Sequence, residues 1–307
     1  MIRPLRTPAD YPALARLLAV TTDALADEDA ALPSTDALTA GPYGRLIGHG
    51  RIRLLAEYRA GRAVGYATAW RAPWTPPGDI ASHTTADSPD LHLALVDTLA
   101  GWARTVGAAR LLSELPDTAL HLLPSLLDRG HTVDAHIRSA TTALRPSAGP
   151  LPAAPPGVRL TTLATTTAPD PVRQLHALYL ATLPDNPGHA DALPDYDQWH
   201  TETLADPTHR PDWIHLAEHQ DRLVAVTAAH ATPDPHTCHL TYTAVDRSWR
   251  HRGLARTLKL HTHHHLAQAG LRTARTEVAA ANTAMTTLNT TLGYTWHPGH
   301  HRLVLPL

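Results

Sequence analysis

Arg250-His251-Arg252-Gly253-Leu254-Ala255 joins an alternating, β-rich run (His239 to Val245) to a long helical pattern that ends at Gly270. A strand, a short basic turn containing glycine and a helix start together make a cradle for an anion. The N–H groups of the turn and of the first helical turn lack internal partners, and the helix dipole favours negative charge there. Arg250, Arg252 and Arg256 add fixed positive charge, and Gly253 lets the backbone come close to a ligand. Phosphate is the anion this arrangement suits.

Two other groupings carry reactive side chains. Cys238, with His236 and His239 beside it, has the ingredients of a nucleophile and base, but a strand cysteine usually packs as a small buried hydrophobe. His261 and His265 share a helix face at the i,i+4 spacing of a metal pair. No carboxylate or cysteine completes that pair locally, so a solvated helix face is expected and no metal.

The elements that must position these residues occur twice. Residues 146–157 hold five prolines and two glycines and read as a linker between a module at 1–145 and a module at 158–307. The first opens with a short strand (Ile2 to Arg6) and a helix entered through Thr7-Pro8. The second opens with a strand from Val158 to Leu163 and a helix running to about Leu183. Each continues with a hairpin: Arg51 to Tyr58 with Ala63 to Trp70, and Trp213 to Glu218 with Leu223 to His230. The C-terminal halves then align without a gap at an offset of 163, matching Gly107 to Gly270, Glu114 to Glu277 and Gly130 to Gly293. Each of these glycines follows a helix and suits the left-handed position past its end. At this offset Arg250, Gly253 and Ala255 fall opposite Asp87, Asp90 and His92. Two carboxylates repel phosphate, so the first module is expected to be a scaffold or a wall of the substrate site.

Composition narrows the function classes. The 307 residues carry a net charge of −2, which argues against bulk nucleic-acid binding. No apolar run approaches the ~20 residues of a membrane span, and a soluble cytoplasmic protein is expected. One cysteine excludes an internal disulfide. The chain lacks phenylalanine, has Lys259 as its only lysine and carries 23 histidines, a skew that lowers the weight of any one histidine.

With strand, loop and helix in place, R-x-x-G-x-A at Arg250 to Ala255 resembles the acetyl-CoA pyrophosphate loop of the GNAT superfamily of N-acyltransferases. Asn282, Met285, Asn289 and Leu292-Gly293-Tyr294 are similar to the second cofactor segment of one subgroup. The tandem order resembles two-domain members in which one half is catalytic. The resemblance implies an α/β (α+β mixed) fold class: two tandem domains, each a central mostly antiparallel mixed sheet flanked by helices. It implies that the Val245 backbone pairs with the pantetheine arm or the thioester. It also implies that Arg250, Arg252, Gly253, Leu254, Ala255 and Arg256 hold the pyrophosphate, and that Asn282 and Asn289 belong to the cofactor site. Thr276-Glu277-Val278 would be the strand that splays to open the cleft. The family's usual proton-donating tyrosine falls at Asn289, which cannot supply a proton of that acidity.

The implied reaction is attack of a primary amine of a small molecule on acetyl-CoA or another acyl-CoA, in a monomer or homodimer without nucleic acid or membrane. A base within reach of the amine is useful. Candidates are Glu218, Glu277 and His239, and Tyr242 is a further catalytic candidate with no base role assigned. Glu218 and Glu277 have counterparts (Glu57 and Glu114) in the module without a loop, which favours structural duty. Counting along the strand gives His239 the parity of Val245 and Tyr242 the opposite one. Asp185 in Leu183-Pro184-Asp185-Asn186-Pro187 is a candidate for recognising a cationic amine, or an Asx turn. Rival readings are an aminoacyl-tRNA-dependent transferase, which the net charge opposes, and mycothiol synthase, which the missing tyrosine opposes. A third is a non-catalytic metabolite-binding or self-protection protein with vestigial CoA binding.

Overall fold

The computed structural model of the protein describes residues 2–5, 9–10, 13, 17, 53–59, 62–70, 76, 78–186, 195–204, 209–232 and 234–307. The helix expected after Thr7-Pro8 lies outside these residues. Contacts divide the chain into one unit of Met1–Asp134 with His300–Leu307, and a second of Ala135–Gly299.

The first unit is built on β1 (Ile2–Pro4), β2 (Arg53–Arg59), β3 (Arg62–Trp70), β4 (Asp79–Ala86), β5 (Arg110–Pro116) and the end of the final strand, in that spatial order. Every neighbouring pair is antiparallel except β4 with β5. A parallel pair needs a crossover, and α1 (Pro89–Thr105) supplies it. Its Leu91, Leu95, Leu99 and Ala103 recur every four residues, a spacing that puts them on one helix face. They pack on Val64, Ala67 and Ala69 of β3, Ile80 of β4 and Leu111 of β5. β4 passes into α1 through two residues, Asp87 and Ser88, and the Asp87 N–H donates to the Val64 carbonyl.

The second unit repeats the plan. It takes the C-terminal part of β6 (Thr132–Ala143), then β7 (Arg159–Thr162), α3 (Pro171–Thr182), β8 (His209–His219), β9 (Arg222–Ala231), β10 (Thr237–Val245), α5 (Leu254–Gln268), β11 (Thr273–Ala279) and α6 (Thr283–Thr291). Two shorter helices, α2 (Leu123–Leu127) in the first unit and α4 (Tyr196–Trp199) in the second, complete the numbering, and β12 is Thr295–Pro306. The sheet order is β7-β8-β9-β10-β11-β6, again antiparallel but for the β10–β11 pair. The tandem α/β architecture expected from the sequence is present. So are the left-handed glycines: Gly107, Gly130, Gly270 and Gly293 all have positive φ.

Helices cover both faces of this sheet. Leu254 and Leu258 of α5 pack with Ala225 and Val245, and Leu266 packs with Ala229 and Leu240. On the other face Tyr179 of α3 stacks on Tyr242 at 4.2 Å between centroids. One irregularity in β10 decides which residue meets which helix. Leu240 pairs with Ala229 but Tyr242 pairs with Ala228, so Thr241 is an extra residue, a β-bulge. The bulge reverses the alternation expected from counting along the strand. His239, opposite His230, shares a face with Tyr242 and not with Val245.

The β10–β11 ladder is short. It holds from Thr237↔Thr273 to Leu240↔Thr276, after which β10 stays with β9 and β11 turns to β6. At the fork the buried Thr276 hydroxyl donates to the Leu240 carbonyl at 3.0 Å. Thr276→Val keeps the shape and removes the donor. It should destabilise the fold by about 1–3 kcal/mol, the cost of stranding a buried polar group. Denaturant unfolding measures this, and a loss well under half a kcal/mol would mean that the fork holds without that bond.

Candidate functional site

Where β10 and β11 part, the second unit holds a cavity of about 450 Å³. Its walls are Thr241 to Val245 on one strand and Glu277 to Ala279 on the other. The loop and the start of α5 close one end, with Asn282, Met285 and Leu288 beside them and Thr182, Asp185 and Asn186 across the mouth.

The loop spans the eight residues between Val245 and Leu254, against two at the equivalent place in the first unit. Asp246 starts it by accepting from the Ser248 N–H at 2.9 Å and from the Ser248 hydroxyl. A single helical turn, Arg247–Trp249, follows. His251 then takes φ +61° and Gly253 φ +75°, with Arg252 between them outside the left-handed region. Alternating handedness turns successive N–H groups toward one concavity, an anion nest. The left-handed conformation at His251, a residue with a Cβ, is a strained one. The first helix bond runs from the Thr257 N–H to the Gly253 carbonyl, so the N–H groups of Leu254, Ala255 and Arg256 are free of helix partners. A Cβ built on Gly253 meets nothing within 4 Å, which leaves that side of the loop open.

The arginines divide their work. Arg250 donates from Nε to the Val245 carbonyl at 3.0 Å and from its guanidinium to Asp185 at 2.6 Å. Arg247 holds the same carboxylate at 2.7 Å and 2.5 Å. Hydrogen bonds from Arg247 first and Arg250 second keep the Asp185 carboxyl well below the usual carboxylate range. Its two oxygens therefore meet arginines, and the cationic pair is half neutralised. Arg252 lies over the Trp249 ring at 4.6 Å and donates to the Ser248 carbonyl. Arg256 lines the cavity.

Asn282 caps α6, accepting from the Met285 N–H at 3.1 Å, and its amide donates to Asn186 at 2.9 Å. Asn289 is fully buried and does not line the cavity. Its Oδ1 accepts from Lys259 Nζ at 2.7 Å, and it is Lys259 that reaches the cavity wall. Lys259 is 1% exposed, and burial lowers its ammonium to about 7.

Of the residues singled out in the sequence, Tyr242, Val245, Arg250, Gly253, Leu254, Ala255, Arg256, Glu277, Asn282 and Asp185 line this one cavity. Tyr242 hydrogen-bonds Thr182 at 2.9 Å, and burial raises its phenol. Arg252, His239 and Asn289 do not line it. His239 packs edge-on against His230, and burial lowers its pKa. Glu218 is buried and bonded to Arg159 and Thr166, a structural post. Cys238 packs with Leu240 and Leu266, where burial pushes its thiol up to about 12. The His261 ring contacts the Pro152 carbonyl and His265 packs on His215.

Lys259 is the functional-looking residue that sequence reasoning passed over. The signal was present: the only lysine of an arginine-using chain stands beside Leu258, within the segment that packs α5 on the sheet.

No curated protein sequence matches the chain significantly. Residues 172–294 match the sequence model described as the acetyltransferase (GNAT) family. Among solved structures, a GCN5-related N-acetyltransferase from Sphaerobacter thermophilus is similar at a TM-score of 0.76 and 18% identity, covering 100% of this chain and 95% of that one. A tandem GNAT protein from the clavulanic acid biosynthesis pathway gives 0.68 and 18%, covering 100% and 98%. A GNAT-family acetyltransferase from Colwellia psychrerythraea gives 0.56 and 12%, covering 100% and 99%. At these identities the structures share the fold. Among the described residues, no helix is long and apolar enough to cross a membrane.

A buried lysine leaves a thermodynamic trace. With its pKa near 7 in the folded state and about 10.4 when unfolded, the folded protein binds fewer protons between those values. Stability therefore rises with pH across that window. Relative to Lys259→Met, the wild-type protein should gain on the order of a few kcal/mol between pH 6 and pH 10. Unfolding of both proteins across that range checks it, and a constant gap would show that the ammonium is not perturbed.

Proposed function

We propose, from a GNAT-family acetyltransferase domain over residues 172–294, that the protein is an acetyl-CoA-dependent N-acetyltransferase. It would transfer the acyl group to a primary amine of a small molecule by direct attack in a ternary complex. One juxtaposition carries the reading: an anion nest with a helix start opens onto the cavity between two parted strands.

In this reading the N–H groups of Gly253 to Arg256 hold the pyrophosphate, and Arg256 adds charge. Arg250 and Arg247, tied to Asp185, set the loop's shape; recognition of a cationic amine then falls to groups other than Asp185. Beyond Leu240 the edge of β10 has no β11 ladder, so its backbone groups are available to an extended acyl-donor arm. The Thr241 bulge leaves one residue out of the β9 ladder at the level where the thioester would lie. A backbone N–H there suits the charge that develops on the thioester oxygen. Glu277 and Tyr242 line the same cavity from opposite strands. Glu277 can accept a proton from an entering amine, directly or through water, whereas the Tyr242 phenol, raised by burial, stays protonated and serves as a hydrogen-bonding group. His239 stays outside the cavity and is the weaker base candidate. Holding both substrates in one cleft supplies much of the acceleration.

Thermal unfolding with acetyl-CoA and with CoA tests the donor site. A ligand at a hundred times its Kd stabilises by about 2.7 kcal/mol, a rise of roughly 4 °C for a protein of this size. Gly253→Asp puts a carboxylate at the nest and should abolish the rise, whereas Gly253→Ala, which adds only the Cβ, should keep part of it. The reading fails if neither compound stabilises the wild-type protein, or if the aspartate variant responds in full.

A further inference from the structure

Lys259 faces α6 from the inside of α5. Its ammonium donates to Asn289 Oδ1 at 2.7 Å, lies 4.0 Å from Met285 Sδ and stands 5.2 Å from the centre of the Tyr294 ring. Among the described residues no carboxylate pairs with it. The other groups near it are His263 on its own helix, bonded to the Tyr294 hydroxyl at 2.8 Å, and Glu277 across the cavity on β11. Burial first and the Lys259 charge second keep His263 neutral, at about 3. Asn289 takes one of the three N–H groups. A buried cation whose partners are all neutral is costly unless it loses its proton or an anion comes to it. The cavity wall is where an anion can come.

Resting on the acyl-donor reading above, we propose that Lys259 is the proton donor to the departing sulfur of the thioester, with Asn289 as the residue that positions it. As the amine nitrogen bonds to the acyl carbon, the carbon–sulfur bond breaks and its electron pair stays on sulfur. Lys259 Nζ gives that sulfur a proton and becomes a neutral amine. The proton shed by the new amide nitrogen restores the ammonium through solvent, so nothing beyond the two substrates is consumed. Burial loosens the ammonium proton to about 7, close enough to a thiol of ordinary pKa, about 8.5, for the proton to be shared between nitrogen and a sulfur held beside it. Asn289 cannot release a proton itself, but its carbonyl oxygen aims one that can.

Because Lys259 is the only lysine, protein grown on lysine labelled with carbon-13 at Cε gives a single side-chain signal. That signal is titrated in the free protein, with CoA, and with desulfo-CoA, which lacks the sulfur. CoA should raise the midpoint by about a unit or more over desulfo-CoA, the size of shift that one close opposite charge produces. Equal midpoints, with both compounds stabilising the protein against heat, would overturn the proposal because Lys259 then does not meet sulfur. If neither compound stabilises it, the acyl-donor reading falls and this proposal with it. Lys259→Met should still bind CoA, and with an accepted amine should lose about a hundredfold in kcat with KM for acetyl-CoA little changed. An unchanged kcat, or an acetyl group found on Lys259 by mass spectrometry after incubation with acetyl-CoA, also overturns it.

Discussion

Everything at the site depends on two neighbouring strands that stop pairing. β10 and β11 share a ladder for four residues, and each then turns to its other neighbour. Breaking a ladder inside a sheet strands backbone donors and acceptors, which a fold tolerates only where they find other partners or face a cavity. Here the Thr276 hydroxyl covers the last shared carbonyl, and the Thr241 bulge bends β10 away. The opening between the strands is floored by α5 and α6. Because α5 must start beyond the end of β10 to cross over to β11, its free N–H groups are delivered to the cavity without any further device.

The first unit shows what the same plan does without the loop. It has the parallel pair, the crossover helix and the left-handed glycines. Its strand enters the helix through two residues, however, and the first of them is bonded back to β3. Leu91 and Leu95 press on Gly65, where an added Cβ would come within 2.9 Å of each. A helix seated that closely on the sheet leaves no slack for a nest, and Asp87 and Asp90 stand at its start. The difference between the units is thus one of connection length and charge at a single junction.

Much of this was legible in residue types. The strand-loop-helix order, the glycine at the nest, the asparagine cap of α6 and the paired glycines of the two halves follow from local rules that act within a few residues. What escaped depends on contacts remote in sequence. The Thr241 bulge reverses the side-chain alternation of β10, and nothing in Leu240-Thr241-Tyr242 distinguishes it from a regular strand. Asp185 meets arginines more than sixty residues away, so a carboxylate that reads as a binding group is one end of an internal clamp. Lys259 became informative only when α6 was seen to bury it. The return of His300–Leu307 to the first unit is likewise a matter of strand pairing, which composition does not encode.

The charges of the second unit then sort by burial. The exposed end of the cavity carries arginines, whose guanidinium stays protonated in any environment, and one pair of them is fixed in place by Asp185. The closed interior carries a lysine, the one basic side chain whose proton burial can loosen into the neutral range. A permanent charge suits a group that must be held, such as a phosphate. A conditional charge suits a group that is neutral when it binds and anionic when it leaves, as a thioester sulfur is. An arginine at position 259 would bring a bulkier cation that could not give up its proton. Under the acyl-donor proposal, the choice of residue at each end of the cavity would follow the charge history of the ligand atom held there.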